Sequence, residues 1–187
     1  MIVSTSKTIF ADIKIMEKLK TLVELTKFRL SSLVSFSAIF GYILAADKID
    51  MVSLIVLAVS GYMVTGSSVI NNQILEVEYD KKMDRTKNRP IPTNRISSFN
   101  ALIVSIVLMS LGLLLMAFYL NYLTAFISLI SLLIYTFIYT PLKRVGPIAV
   151  FVGAIPGALP PLIGWVAFSN MISLEALIVF SIQFIWQ

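Results

Sequence analysis

The sequence of 187 residues contains no cysteine and no histidine. The first absence excludes disulfides, thiolate metal ligands and a thiol nucleophile, and the second removes the commonest metal ligand and general base. Charged residues are also scarce, at 13% of the chain, against about 25% in a soluble domain. Any chemistry must therefore use carboxylates, Lys, Arg, Tyr, Asn, Ser or Thr.

Apolar residues are abundant: they make up 58% of the chain, and the mean hydropathy is +0.90. The charges cluster, and the apolar stretches between them are long enough to cross a hydrocarbon core of about 30 Å. The predicted fold class is all-α, a polytopic transmembrane helical bundle. The predicted spans are Leu30–Ala46, Val52–Ile70, Phe99–Leu120, Leu123–Tyr139 and Ile148–Phe168, with a sixth that begins near Leu174 and is cut off at Gln187.

The basic residues predict the topology. Every Lys and Arg except Lys48 lies before the first span, between spans two and three, or between spans four and five. The positive-inside rule places these segments, and the amino terminus, in the cytoplasm of a multi-pass cell-membrane protein. Topology thus explains the net charge of +5, and no nucleic-acid partner is expected. The start of the chain lacks the pattern of a signal peptide or transit peptide, which favours a bacterial inner membrane.

Ahead of the first span, Ile13–Lys27 alternates apolar residues with lysines. That pattern predicts a helix that lies in the membrane interface beside acidic headgroups. Within the fifth span, the stretch Gly153–Gly164 contains three prolines. A continuous transmembrane helix is not expected there, because each proline removes a helical hydrogen bond. The sequence predicts a kink or break whose freed backbone groups are satisfied by protein or by a cavity.

The strongest chemical signal lies at the cytoplasmic end of the second span. Residues with side-chain oxygens recur there at every fourth position: Asn72, Glu76, Asp80 and Asp84. A helix places that spacing on one face, with Glu78 roughly opposite. Carboxylates so close together repel one another unless a cation lies between them. Oxygen ligands without His or Cys favour a hard ion, Mg²⁺ or Ca²⁺.

Basic residues follow at once in the same loop: Arg85, Lys87 and Arg89. Guanidinium and ammonium groups bind phosphate oxygens well. A carboxylate face that runs into a basic stretch at a membrane surface therefore indicates a lipid diphosphate ligand. The alternative is a solvated helix whose charges form i,i+4 pairs, and spacing alone leaves both interpretations open.

Four blocks of the sequence resemble the UbiA superfamily of intramembrane prenyltransferases, over about Leu25 to Gln187. Asn72-x3-Glu76-x3-Asp80 resembles its first Asp-rich motif, and the following DRTKNRPIPTNRIS is similar to the haem-farnesylating branch of the superfamily. The other blocks resemble its first span, its loop between spans four and five, and its fifth span: LTKFRLSSLVSFSAIFGYILA, YTPLKR and GAIPGALPPLIGW. Two residues depart from the pattern of the superfamily. Glu76 lies where most members have Asp, and Phe28 lies where the usual sequence LTKPR has Pro.

The resemblance implies a fold of nine spans, about five and a half of which lie in this chain. Residues 1–187 are then a single incomplete membrane domain, with 1–27 as a cytoplasmic or interfacial segment and 28–187 as the prenyltransferase region. A second Asp-rich motif is expected beyond residue 187. The implied reaction transfers farnesyl from farnesyl diphosphate to the vinyl group of haem b, and water then adds. Mg²⁺ is the implied cofactor, and the implied partners are farnesyl diphosphate, haem b, membrane lipid, and haem A synthase or terminal oxidase assembly.

The resemblance also implies roles for particular residues. The metal ligands would be Asn72, Glu76 and Asp80. Asp84 would either contact these ligands from outside or bind a second metal ion. The catalytic residues would be Asp80, Asn72 and Tyr139, and the diphosphate ligands Arg85, Arg89, Lys143 and Arg144. Tyr135 and Tyr139 lie a helical step apart and either face a farnesyl cation or are interface tyrosines. Tyr62 and Trp165 are expected to be belt or packing residues.

Three other functions stay open. A related enzyme that prenylates an aromatic acid for quinone synthesis would use the same first motif. A transporter could use a helix broken by Pro and Gly, but it would need charged groups at the span midplanes, which these spans lack. In a non-catalytic assembly partner the carboxylates would be purely structural.

Overall fold

The computed structural model describes residues 15–187, and in that range every regular element is a helix. The prediction of an all-α membrane bundle is confirmed. The elements are α1 (15–25), α2 (Phe28–Ala45), α3 (Met51–Leu75), α4 (Val77–Asp80), α5 (Ser98–Tyr119), α6 (Tyr122–Leu133), a π-helical turn (Ile134–Tyr139), α7 (Thr140–Leu142), α8 (Ile148–Ser169) and α9 (Leu174–Trp186). The start of the predicted interfacial helix, up to residue 14, lies outside the described residues.

Among the described residues, 15–187, five helical segments are long and apolar enough to cross a membrane. They are Phe28–Ala45, Met51–Leu75, Ser98–Tyr119, Tyr122–Leu142 and Ile148–Ser169, and the shorter apolar helix Leu174–Trp186 follows. Each corresponds to a predicted span. The main difference is at the second span, where the helix runs five residues past the predicted end at Ile70, to Leu75. The first polar residues of the candidate site therefore lie within a membrane-length helix.

Helices α2 and α8 pack backbone against backbone. A Cβ atom added at Gly41 would overlap the carbonyl oxygen of Pro161, and one added at Gly164 would overlap that of Ala38. Only glycine allows two helices to approach this closely, as in small-residue interfaces between membrane helices. The glycines of the fifth-span motif thus have a packing role.

Of the two alternatives for the fifth span, a break is wrong, because α8 is one uninterrupted helix through Pro156, Pro160 and Pro161; a kink within that helix stays a prediction. Each proline leaves the carbonyl four residues earlier without a helical donor. Pro156 and Pro160 line a cavity, and freed carbonyls are tolerated at membrane depth where they face a cavity or protein. The glycine contacts of α8 with α2 lie at and just beyond the end of this proline stretch, at Pro161 and Gly164.

Hydroxyl groups join the remaining helices. Ser67 on α3 and Ser105 on α5 share a hydrogen bond of 2.8 Å, and Ser35 on α2 donates to the carbonyl of Ala58 on α3 at 2.6 Å. In an apolar bundle such bonds satisfy polar groups that have no access to water. They fix α3 between α2 and α5 and so position the polar end of α3.

Candidate active site

Three of the predicted ligands lie together where α3 ends. Asn72, Glu76 and Asp80 are buried, with 4%, 8% and 3% of their surface exposed. The α-helix stops at Leu75, and Glu76 caps it with a backbone φ of −105°. The short helix α4 begins at the next residue, so the polar face continues for one more turn.

The predicted four-residue face ends at Asp80 and does not reach Asp84. After α4 the chain continues in turns, and the Asp84 side chain is 98% exposed and pairs with Lys87 at 2.7 Å. Glu78 also faces away from the buried residues, where it pairs with Lys81 at 2.7 Å. Asp84 is therefore separated from the other three predicted metal ligands, because helical geometry does not persist between them.

Basic side chains from the loop between spans four and five reach this face. Lys143 Nζ lies 2.6 Å from a carboxylate oxygen of Glu76. Arg144 lies 3.9 Å from the same carboxylate, donates to the carbonyl of Leu75 at 3.1 Å and stacks on Tyr79 with its Cζ 4.0 Å from the ring centroid. The predicted approach of the two residues is confirmed, although 67 residues separate Lys143 from Glu76. Their part in binding diphosphate stays a prediction.

The loop after α4 folds back on the same face. Arg89 donates to the Asp80 carboxylate at 2.6 Å, and only 20% of the Arg89 side chain is exposed. Thr86, which is fully buried, donates its hydroxyl hydrogen to the Asp80 carbonyl at 3.0 Å and holds the turn closed. Arg85 is exposed and lies on the wall of a small cavity of about 260 Å³ with Arg89.

Lys27 belongs to this charged group, and the sequence did not single it out. It joins α1 to α2 in the left-handed conformation, with φ 46°, and it lines the small cavity beside Arg85 and Arg89. Burial lowers the pKa of Lys27 to about 8, and the positive charge of Arg89 adds to this effect against the opposing charge of Asp80. A lysine immediately before the first span was the available signal.

A larger cavity of about 530 Å³ begins beside the charged group and extends between the helices. Its walls are mainly apolar and come from α2, α3, α6, the π-helical turn and α8. Asn72, Glu76 and Asp80 are not among its lining residues, but Lys143 lines it and also contacts Glu76. The carboxylates thus lie outside the cavity wall, and Lys143 connects Glu76 to the cavity.

Tyr135 and Tyr139 line the same cavity near Lys143. Their ring centroids are 5.4 Å apart, and Lys143 Nζ lies 5.9 Å from the Tyr139 ring centroid. A Cβ atom at Gly153 would lie 2.6 Å from the Tyr139 ring, so the glycine makes room for it. The two rings therefore form part of the cavity wall next to the cations.

The two other predicted aromatic residues lie in packing positions. Tyr62 shares a hydrogen bond of 2.8 Å with Thr26 and packs on Phe28. Trp165 packs against a buried core that α2, α3, α6, α8 and α9 share. Neither residue lines the larger cavity.

The donor set at the end of α3 suits Mg²⁺. In residues 15–187 no three His, Cys, Asp or Glu side chains come close enough to hold a metal ion by themselves. Asn72, Glu76 and Asp80 offer one amide oxygen and two carboxylates. Mg²⁺ commonly takes one or two carboxylates and completes its octahedron with water and substrate phosphate. The chain thus provides oxygen ligands for a hard ion that also binds phosphate.

The fold and this site together define a class: a multi-span helical membrane protein with a charged site at one end of an apolar cavity within the bundle. The sequence profile described as the UbiA prenyltransferase family matches residues 34–187. The chain belongs to the UbiA prenyltransferase family.

Two curated relatives and one solved structure illustrate the similarity. Protoheme IX farnesyltransferase of Cytophaga hutchinsonii is 48% identical over 165 residues, which cover 88% of this chain and 58% of that protein. Protoheme IX farnesyltransferase of Christiangramia forsetii is 47% identical over 164 residues, or 88% of this chain and 54% of that protein. A solved digeranylgeranylglyceryl phosphate synthase superposes with a TM-score of 0.80 at 25% identity, over 90% of this chain and 59% of that one. The chain spans little more than half the length of these relatives.

Proposed function

We propose that this chain forms the part of a protoheme IX farnesyltransferase that binds farnesyl diphosphate and transfers its farnesyl group to the vinyl group of haem b. The names of the similar relatives support this assignment. The observation that carries it is the pairing of Glu76 with Lys143 and of Asp80 with Arg89, beside an apolar cavity of about 530 Å³ that Lys143 also lines. Such a site has one end for a diphosphate and another for a hydrocarbon chain.

At the polar end, Asn72, Glu76 and Asp80 would hold Mg²⁺, which as a Lewis acid neutralises the charge that develops on the departing diphosphate. Lys143 and Arg89 lie within 2.6 Å of the two carboxylates and would donate to diphosphate oxygens. Arg144 and Arg85 lie further out and would contribute long-range attraction. Donors fixed before the substrate arrives stabilise the leaving group without reorganisation.

The farnesyl chain would occupy the larger cavity, whose volume lies within the range of about 300–1,000 Å³ typical of ligand sites. When the C–O bond breaks, its electron pair leaves with the diphosphate and an allylic cation remains. Tyr135 and Tyr139, which line the cavity near Lys143, would face this cation with their rings. The apolar walls exclude bulk water and so prevent early hydrolysis.

The vinyl group of haem b would then attack the allylic carbon and form the new C–C bond. The positive charge moves to the carbon next to the porphyrin ring, where a water molecule adds and releases a proton. The product carries a hydroxyethylfarnesyl chain. The apolar cavity favours this order of events, because water must meet the second cation and not the first.

The proposal is tested by expressing the gene that encodes this chain in a host without haem O and incubating membranes with farnesyl diphosphate and either haem b or 4-hydroxybenzoate. A haem product with the added mass of one farnesyl group and one water supports the proposal. Farnesylation of 4-hydroxybenzoate alone would instead assign the chain to quinone synthesis. No prenylation of either acceptor would favour the non-catalytic alternative.

We also propose that the chain lies in a bacterial inner membrane, with the amino terminus and the loops that contain Arg89 and Lys143 on the cytoplasmic side. The charged diphosphate group would reach the site from the cytoplasm. The distribution of Lys and Arg supports this orientation.

A further inference from the structure

Thr140, the first residue of α7, closes the π-helical turn Ile134–Tyr139 and presents its hydroxyl group to the polar end of α3. In the π-helical pattern the backbone N–H of Thr140 bonds to the carbonyl of Tyr135, five residues earlier. The Thr140 side chain bends to the same carbonyl, with Oγ1 2.8 Å from it. Thr140 is completely buried. Single π-helical turns within α-helices occur often at functional sites.

The same hydroxyl oxygen lies 3.1 Å from the amide of Asn72, 68 residues away in the sequence. A threonine hydroxyl has one hydrogen to donate. Because the Tyr135 carbonyl can only accept, that hydrogen lies between Thr140 and Tyr135. Thr140 must then accept from Asn72, so the amide presents its NH₂ group to Thr140. The amide oxygen consequently faces away from Thr140 and is left for another ligand.

We infer that Thr140 is the positioning residue that turns the Asn72 carbonyl oxygen towards the metal ion, a step that rests on the metal role assigned to Asn72 in the proposed function. Without this bond the buried amide could rotate by half a turn and present NH₂ to the cation. An amide nitrogen does not bind Mg²⁺, so one of three ligands would be lost. Groups that orient metal ligands in this way typically contribute about 10- to 100-fold to metal affinity.

The test is equilibrium dialysis of the detergent-solubilised protein against Mn²⁺ and inorganic diphosphate, which measures retained Mn²⁺ without turnover. Thr140→Val keeps the shape of the side chain and removes the hydroxyl, and we expect it to weaken Mn²⁺ binding about 10- to 100-fold. Thr140→Ser keeps the hydroxyl and should bind Mn²⁺ like the natural protein.

Thr136 supplies a matched control in the same turn. It is 2% exposed, and within residues 15–187 its hydroxyl has no hydrogen-bond partner. Thr136→Val therefore removes a buried hydroxyl that holds nothing, and we expect Mn²⁺ binding to be unchanged. Weakening by Thr136→Val equal to that by Thr140→Val would overturn the inference, because it would trace the effect to the turn and not to Asn72.

A second pair of variants separates orientation from folding. Asn72→Asp carries oxygen on both sides of the group, so its metal affinity should not depend on which way the group is turned. We expect the double variant Asn72→Asp, Thr140→Val to bind Mn²⁺ as tightly as Asn72→Asp alone. An equal loss in both backgrounds contradicts the orienting role.

Different results would contradict the role of Thr140 and the metal role of Asn72. If the natural protein retains Mn²⁺ and Thr140→Val retains it equally well, the inference is wrong and the proposed metal site stands. If the natural protein retains no Mn²⁺ with diphosphate present, the metal role of Asn72 is wrong and the inference falls with it.

Discussion

Asp80→Asn tests the polar end of the site with the smallest change of shape. The Asp80 side chain is 5% exposed, and its carboxylate accepts from Arg89 at 2.6 Å. Asparagine keeps an oxygen that can accept from Arg89 and removes the negative charge. The variant therefore separates the electrostatic role of Asp80 from its role as a hydrogen-bond acceptor.

The two expected effects differ in size. A hydrogen bond between charged groups contributes about 1.5–3 kcal/mol and a neutral one about 1 kcal/mol. The bond that Arg89 keeps to the asparagine oxygen has one charged partner and lies between these values, so we expect a loss of at most about 2 kcal/mol in stability. This is less than the about 3–5 kcal/mol lost when a fully buried ion pair loses one partner, because a fifth of the Arg89 side chain stays exposed. Removing one preorganised donor that stabilises developing charge costs about 10²–10³-fold in turnover, and we expect a loss of similar size when Asp80 loses its charge. Turnover should therefore fall far more than the amount of folded protein.

The assay measures transfer of radiolabelled farnesyl to haem b in membranes, normalised to the amount of inserted protein. Glu78→Gln is the matched control, since Glu78 lies two residues away, its side chain is 70% exposed and its ion pair within residues 15–187 is with Lys81. We expect the control to keep near-natural turnover. If Asp80→Asn is as active as Glu78→Gln, the assignment of Asp80 to the diphosphate and metal site is refuted.

Three further predictions concern packing, topology and charge. Gly164→Ala should lower the free energy of unfolding by about 2 kcal/mol or more, measured by thermal unfolding in detergent. Gly146→Ala should leave it unchanged, since a Cβ atom there meets nothing within 4 Å. Equal unfolding midpoints of the two variants would contradict the close contact of α2 and α8. Because the sequence has no cysteine, Lys48→Cys should react with an impermeant maleimide on intact cells and Lys87→Cys only after lysis, and the reverse pattern would invert the topology. With its pKa lowered to about 8, Lys27 should lose its proton at lower pH than an ordinary lysine. Acetic anhydride at pH 8 should therefore acylate Lys27 before the exposed Lys87, as followed by mass spectrometry. Equal acylation rates of the two lysines would contradict the lowered pKa of Lys27.

Much of the architecture could be predicted from the sequence, because hydropathy and charge placement act over whole segments. The predicted spans match the helices, and the four-residue spacing correctly places Asn72, Glu76 and Asp80 on one buried face. The spacing failed at Asp84, since periodicity assumes a continuing helix and the chain turns after Asp80. Local turn geometry, stabilised by the bond from Thr86 to the backbone of Asp80, decides that point.

The remaining features depend on contacts between distant segments. Proline content alone predicted a kinked or broken fifth span, whereas α8 is continuous and packs closely on α2 through Gly41 and Gly164. Likewise, nothing in the sequence marks Thr140 as a partner of Asn72, because the contact depends on a π-helical turn. Such pairings have no local sequence pattern from which they could be predicted.

The most direct test of the central claim is photolabelling with a farnesyl diphosphate analogue that carries a benzophenone at the end of its hydrocarbon chain. With the diphosphate at Lys143 and Arg89, the benzophenone should label the cavity wall formed by α6 and α8, and excess inorganic diphosphate should abolish labelling. Peptide mapping by mass spectrometry identifies the modified segment. Labelling confined to the outer face of α5, or labelling unaffected by diphosphate, would contradict the proposed position of the substrate.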